Sequence, residues 1–182
     1  MGERAKKNIV ELTRMGAEEC RLGRHLPLRL VLDSVRSLNN VGAMLRTSDA
    51  FGVECVSLCG ITGAPPHPEI HKTALGAEES VNWEHCPDTL ARVRELQAEG
   101  WRVCVLEQTH NSVALGDFEV KAGEKYAIVA GNEVKGVEQS VVDAADSVIE
   151  IPQCGAKHSL NVSVSCGIAL WHFFSAMRRG VE

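Results

Sequence analysis

The stretch Ile149–Phe174, IEIPQCGAKHSLNVSVSCGIALWHFF, decides the fold. Val148 to Ile151 is a short run rich in β-branched residues, the mark of a buried strand. Pro152 ends it, because proline has no N–H to give a ladder, and Gly155 turns the chain. Ser159, Leu160 and Asn161 follow, and the apolar spacing then predicts a helix over Ser159–Met177. A strand feeding a helix through a turn is the repeating unit of α/β proteins. Neither element needs a polar Ser–Leu–Asn step to fold. Ser159 is placed to cap the helix, a common job for serine. Asn161, two residues on, exceeds what a cap requires. The turn therefore reads as one wall of a small-ligand pocket.

Outward from this stretch the same alternation holds. Strands are expected at Leu28–Leu32, Val53–Cys59, Val81–Trp83, Val103–Leu106 and Tyr126–Ala130. Helices are expected over residues 4–20, with Ile9, Leu12 and Met15 at spacings of three, and at Val41–Phe51, which Gly52 stops. Shorter ones follow at Glu69–Leu75, from Pro87 to Glu99 with Leu90, Val93 and Leu96 inward, and at Glu138–Ala145. This order predicts an α/β fold, an open, mostly parallel sheet with helices on both faces. The 182 residues carry no internal repeat or linker and suit one domain, a core over 28–178 behind a basic helical extension over 1–27.

Composition narrows the function classes. No apolar run reaches membrane-span length, and the N-terminus lacks the apolar centre of a secretory signal, so a cytoplasmic protein without a membrane partner is expected. Seven scattered cysteines fit reduced core thiols better than a disulfide framework. Cys55 and Cys59, and His67 and His71, lack further ligands at metal spacing, so no metal is expected. Net charge is −5, unlike a strong nucleic-acid binder, but residues 1–30 carry +3 and the remainder −8. The basic segment reads either as a solvated helix face or as a phosphate-binding arm.

Ligand crevices in open parallel sheets form beyond the carboxyl ends of strands. Three turns occupy that position: Asp33–Asn40, Gly131–Gly136 and Pro152–Asn161. The first holds Asn40, a candidate helix cap, and leads to Arg46. An arginine within an apolar helix snorkels, pairs with a neighbour such as Asp49, or meets an anion. The second, GNEVKGV, has two glycines that permit positive φ and close approach by a ligand; the alternative is an ordinary turn with Glu133 as a helix cap. In the third, His158 is a general base or a loop histidine. Ser159 lacks the GxSxG elbow of an acyl-transfer nucleophile.

Together the three turns resemble the SpoU/TrmH family of RNA ribose 2'-O-methyltransferases, of the SPOUT class. The first motif reads NNVGAMLRTSDAFG (Asn39–Gly52), the second AIVAGNEVKGV (Ala127–Val137), the third IPQCGAKHSLNVSV (Ile151–Val164). Ser165, Cys166 and Gly167 stand where the family often has alanines.

The resemblance implies a C-terminal trefoil knot, an exception to the rule against knotted chains. It implies S-adenosyl-L-methionine as cofactor and a homodimer whose active site the partner completes. The substrate would be a ribose 2'-hydroxyl of tRNA or rRNA, tRNA being favoured because no separate RNA-binding domain precedes the core. A non-catalytic RNA-binding relative is the alternative. By motif position Arg46, Asn40, Glu133, Ser159 and Asn161 form the catalytic set. Ala130, Gly131, Asn132, Ile151, Ser159 and Leu160 meet the cofactor. Arginine stays protonated, so Arg46 is expected to hold an RNA phosphate and stabilise the developing alkoxide rather than act as a base.

Overall fold

The computed structural model describes residues 16–23, 25–157 and 159–179, and among them seven parallel strands form one sheet. Most of the helix expected over 4–20 lies outside these residues; its described end is α1, Ala17–Leu22. The strands are β1 (Leu26–Asp33), β2 (Val53–Cys59), β3 (Trp83–Cys86), β4 (Trp101–Leu106), β5 (Val113–Ala114), β6 (Lys125–Ala130) and β7 (Ser147–Glu150). They stand in the order β3-β2-β1-β6-β4-β7-β5, and each of these ladders is parallel.

Side chains alternate across a strand, and the sheet divides its core accordingly. Leu28, Leu30, Leu32, Tyr126, Ile128 and Cys104 point to one face. There they pack on α2 (Leu38–Ala50), α3 (Pro68–Ala74), α4 (Ala77–Ser80) and α7 (Val162–Arg179), through residues such as Met44, Leu45, Ile70 and Phe173. Val31, Ala127, Val129, Val103 and Val105 point to the other. That face is covered by α5 (Thr89–Ala98) and α6 (Gln139–Ala144), through Val93, Leu96 and Val141. Helices thus cover both faces, as the strand–helix alternation predicts.

Four details correct the sequence reading. The third strand is Trp83–Cys86, two residues later than expected, since it follows the register Val56↔Trp83 to Cys59↔Cys86. The two-residue β5 was not foreseen; it is an edge strand held by Val113↔Ile149 and Ala114↔Glu150. Asn40 is not a cap: Ser37 caps α2, its side chain accepting from the Asn40 N–H at 3.3 Å. The last helix starts at Val162, not Ser159. Asn161 does the capping, its Oδ1 accepting from the Ser163 N–H at 2.8 Å.

Candidate active site

The turn after β6 is closed by its own backbone. The Asn132 N–H donates to the Gly136 carbonyl at 3.0 Å, and the Gly136 N–H returns to the Asn132 carbonyl at 2.9 Å. Asn132 Oδ1 also accepts from the N–H groups of Val134 and Lys135, so one asparagine folds the turn from inside. Both glycines are structural requirements. Gly136 has φ +70°. A Cβ on Gly131 would lie 2.3 Å from the Gly136 carbonyl carbon and the Val137 nitrogen. We expect Gly131→Ala to lower stability by about 3 kcal/mol, the upper end for overpacking, because the obstacle is backbone. A urea titration reads this directly.

Side chains tie this turn to the one after β1. Asn132 Nδ2 donates to the Ser34 carbonyl at 2.8 Å. The Glu133 carboxylate accepts from the N–H groups of Arg36 (3.0 Å) and Ser37 (2.9 Å) and from Asn40 Nδ2 (3.0 Å). Glu133 therefore serves the approach to α2, not a cap of its own helix. Burial pushes its carboxyl up, but the donors Arg36, Asn40 and Ser37 together outweigh this and hold it below the ordinary carboxylate value.

The third turn joins the same network. Asn161 Nδ2 donates to Asn40 Oδ1 at 3.2 Å, while Asn161 Oδ1 holds the start of α7. A relay Asn161–Asn40–Glu133 thus links three motifs separated by 121 and 93 residues. Asn161 is both a cap and a link, which is why it exceeded what capping alone requires.

Beside the relay opens a cavity of about 610 Å³, within the range of small-molecule sites. All six residues expected at the cofactor line it: Ala130, Gly131, Asn132, Ile151, Ser159 and Leu160. Glu133 and Asn161 line it as well. Asn40 and Arg46 do not. Arg46 is exposed on α2 and makes no ion pair among the described residues. Asp49, its candidate partner, accepts instead from Ser80 Oγ at 2.6 Å. His158 lies outside the described residues. His67 caps α3 through Nδ1, and His71 pairs with Glu78.

Sequence reasoning missed two carboxylates beneath these turns. Asp33, only 3% exposed, accepts from Thr89 Oγ1 at 2.7 Å and from the Glu138 N–H at 2.9 Å. Glu107, past the end of β4, accepts from the Val137 N–H at 3.1 Å. The only local signal was an acidic residue at each strand's carboxyl end.

This geometry can be set against known proteins. Residues 27–171 match the model of the SpoU rRNA Methylase family. The chain belongs to that family. Among its curated SpoU relatives is the 23S rRNA (guanosine-2'-O-)-methyltransferase RlmB of Vibrio cholerae, 37% identical over 155 residues; the match covers 84% of this chain and 60% of that protein. RlmB of Escherichia coli K12 is 34% identical over 154 residues, with 84% and 60% covered. The chain therefore spans about three fifths of the length of these relatives. The SpoU fold is equally clear in solved structures. A TrmH/SpoU tRNA modifying enzyme from A. aeolicus superposes with a TM-score of 0.79 at 26% identity, covering 90% of this chain and 81% of that one. An AdoMet-bound rRNA methyltransferase from Sinorhizobium meliloti gives 0.77 at 26%, covering 90% and 60%.

Proposed function

We propose that this SpoU protein transfers a methyl group from S-adenosyl-L-methionine to a ribose 2'-hydroxyl of tRNA or rRNA. The observation that carries the reading is the Asn161–Asn40–Glu133 relay beside a cavity of cofactor size. The RlmB relatives, 23S rRNA (guanosine-2'-O-)-methyltransferases, and the AdoMet-bound neighbour support it.

The cavity suits the cofactor on its own terms. Its lining offers apolar contact at Ile151 and Leu160, polar groups at Asn132 and Ser159, and a wall without a side chain at Gly131. Backbone groups near Ala130, Gly131, Ile151 and Leu160 would meet the adenine and the amino-acid end, with Asn132 and Ser159 completing the walls. When bound, the cofactor supplies a methyl already activated on a sulfonium, so the protein's task is to position the ribose. Asn40, fixed from both sides by Glu133 and Asn161, orients the ribose. Arg46 holds the RNA phosphate through its planar fork of donors. It stabilises the negative charge that develops on the ribose oxygen, and the proton leaves to phosphate or solvent.

A homodimer belongs to the same proposal. Val164, Ile168 and Trp171 are 49%, 40% and 56% exposed along one stripe of α7, at the spacing of a helix face. A second copy packed on this stripe accounts for apolar side chains otherwise left in water. Since α7 packs on α2, such a dimer carries Arg46 of one protomer toward the cavity of its partner. That arrangement explains why Arg46 does not line its own chain's cavity. We expect Trp171→Glu to shift the protein from dimer to monomer in sedimentation velocity and to abolish methyl transfer with it. A C-terminal trefoil knot, which membership of the family implies, is part of the same proposal.

Mapping ribose methylation in cellular RNA with and without the gene tests the function. The proposal predicts the loss of at least one 2'-O-methyl site; an unchanged map would favour a non-catalytic RNA-binding role.

A further inference from the structure

Glu107 stands just beyond β4, and the chemistry above makes no use of it. Its backbone N–H continues the ladder, donating to the Ile149 carbonyl at 3.0 Å. Its carboxylate faces two donors from different sides. Oε1 accepts from the Gln108 N–H at 2.9 Å, at the exit of β4. Oε2 accepts from the Val137 N–H at 3.1 Å, at the far leg of the β6 turn. Glu107, Gln108, Gly136 and Val137 all line the cavity. The fit is close: a Cβ on Gly136 would lie 2.2 Å from Glu107 Oε2. The carboxylate thus occupies the space that the absent Gly136 side chain leaves.

We propose that Glu107 is a positioning residue for the cofactor. Its carboxylate sets the separation of two cavity walls by holding the Gly136–Val137 peptide to the exit of β4. The inference rests on the reading of this cavity as the S-adenosylmethionine site. The chemistry of the group explains the choice of residue. An ionised carboxylate is acceptor-only and satisfies two N–H groups at once. An amide of the same size offers one acceptor and one donor, so Glu107→Gln sets an NH₂ group against one of the two N–H groups. Glu107→Asp keeps the charge but withdraws the oxygens by one methylene, out of reach of at least one partner. Both changes loosen the tie between this wall and the exit of β4, leaving the far leg of the turn to its backbone pairing with Asn132 and to the Glu138 N–H on Asp33.

Charge offers a different explanation of the same residue, and the two are separable. S-adenosylmethionine carries a sulfonium cation, whereas S-adenosylhomocysteine carries a neutral thioether. A residue that sets wall spacing serves both ligands alike. A residue that acts through its charge favours the sulfonium.

Titration calorimetry of the wild-type protein, Glu107→Gln and Glu107→Asp with both ligands makes the test, with circular dichroism confirming that each variant is folded. We expect both variants to bind both ligands about tenfold more weakly, the effect of leaving one enclosed donor without its acceptor. If Glu107→Gln fails to fold, Glu107→Asp carries the test alone. Wild-type affinity in the folded variants would overturn the inference. So would a loss confined to S-adenosylmethionine, or full retention by Glu107→Asp, since either assigns the effect to charge. Wild-type protein that binds neither ligand would overturn the cofactor reading itself and this inference with it.

Discussion

Arg46→Ala is expected to lower methyl transfer by about 10³-fold while leaving the affinity for S-adenosylmethionine unchanged. The magnitude is that of removing a preorganised group aimed at developing charge. The separation of the two effects follows from position. Arg46 does not line the cavity that would hold the cofactor, and it makes no ion pair among the described residues. Its loss also leaves no buried partner unsatisfied, so stability should move by no more than about 0.5 kcal/mol. A cationic side chain that the fold does not consume is free for an anionic ligand. Arg46→Lys sharpens the test. Lysine keeps the charge but not the planar fork, so a variant restored to near wild-type rate would reduce the role to simple charge attraction. Single-turnover kinetics with labelled cofactor, run beside calorimetry, reads both quantities. Loss of cofactor binding in Arg46→Ala would contradict the assignment.

Glu133→Ala is expected to lower kcat/KM by about 10²-fold, the cost of misplacing reacting groups by about an ångström. The carboxylate holds the Arg36 and Ser37 N–H groups and the Asn40 side chain. Without it the turn before α2 keeps only the Asn132–Ser34 side-chain tie to the β6 turn, and the Asn40 side chain keeps only Asn161. The three released donors are near solvent, so water replaces part of what is lost. The stability change should therefore stay near about 1 kcal/mol, well below that of Gly131→Ala. The pH dependence has a definite sign. Burial raises the Glu133 carboxyl, and the donors from Arg36, Asn40 and Ser37 more than reverse this, so its folded value lies below its unfolded one. Its contribution to stability is then complete above the unfolded value and is lost as pH falls through the folded value. Acid titration of the wild type should show a loss of order in this turn that Glu133→Ala does not show. Amide exchange at Arg36 and Ser37 reports it.

Much of this was legible because it is written locally. The strands are largely apolar runs, and Arg46 stands out as a cation beside Met44 and Leu45. The two glycines of GNEVKGV announced close approach by a ligand; what approaches them is the protein itself, the Gly136–Val137 backbone at Gly131 and the Glu107 carboxylate at Gly136. What stayed hidden depends on partners far away in the chain. Asp33 reads as the first residue of a polar turn, yet its acceptor oxygens serve Thr89 and Glu138, 56 and 105 residues on. Glu107 and Val137 are 30 residues apart. Local propensity also misassigned two caps. Ser159 and Asn40 are both good capping residues, but the helices begin at Val162 and Leu38, so the task falls to Asn161 and Ser37. The third strand was displaced for the same reason: its ends are set by pairing with β2, and a short run such as Val81–Trp83 cannot specify that register.

The central claim, ribose 2'-O-methylation, is tested most directly in one reaction. The purified protein is incubated with methyl-labelled S-adenosylmethionine and RNA from cells lacking the gene, and the RNA is then hydrolysed in alkali. A 2'-O-methyl group blocks cleavage of the adjacent phosphodiester, so the account predicts label in alkali-resistant dinucleotides, absent with Arg46→Ala. Label recovered only on bases, or no transfer by a protein that binds the cofactor, would contradict it.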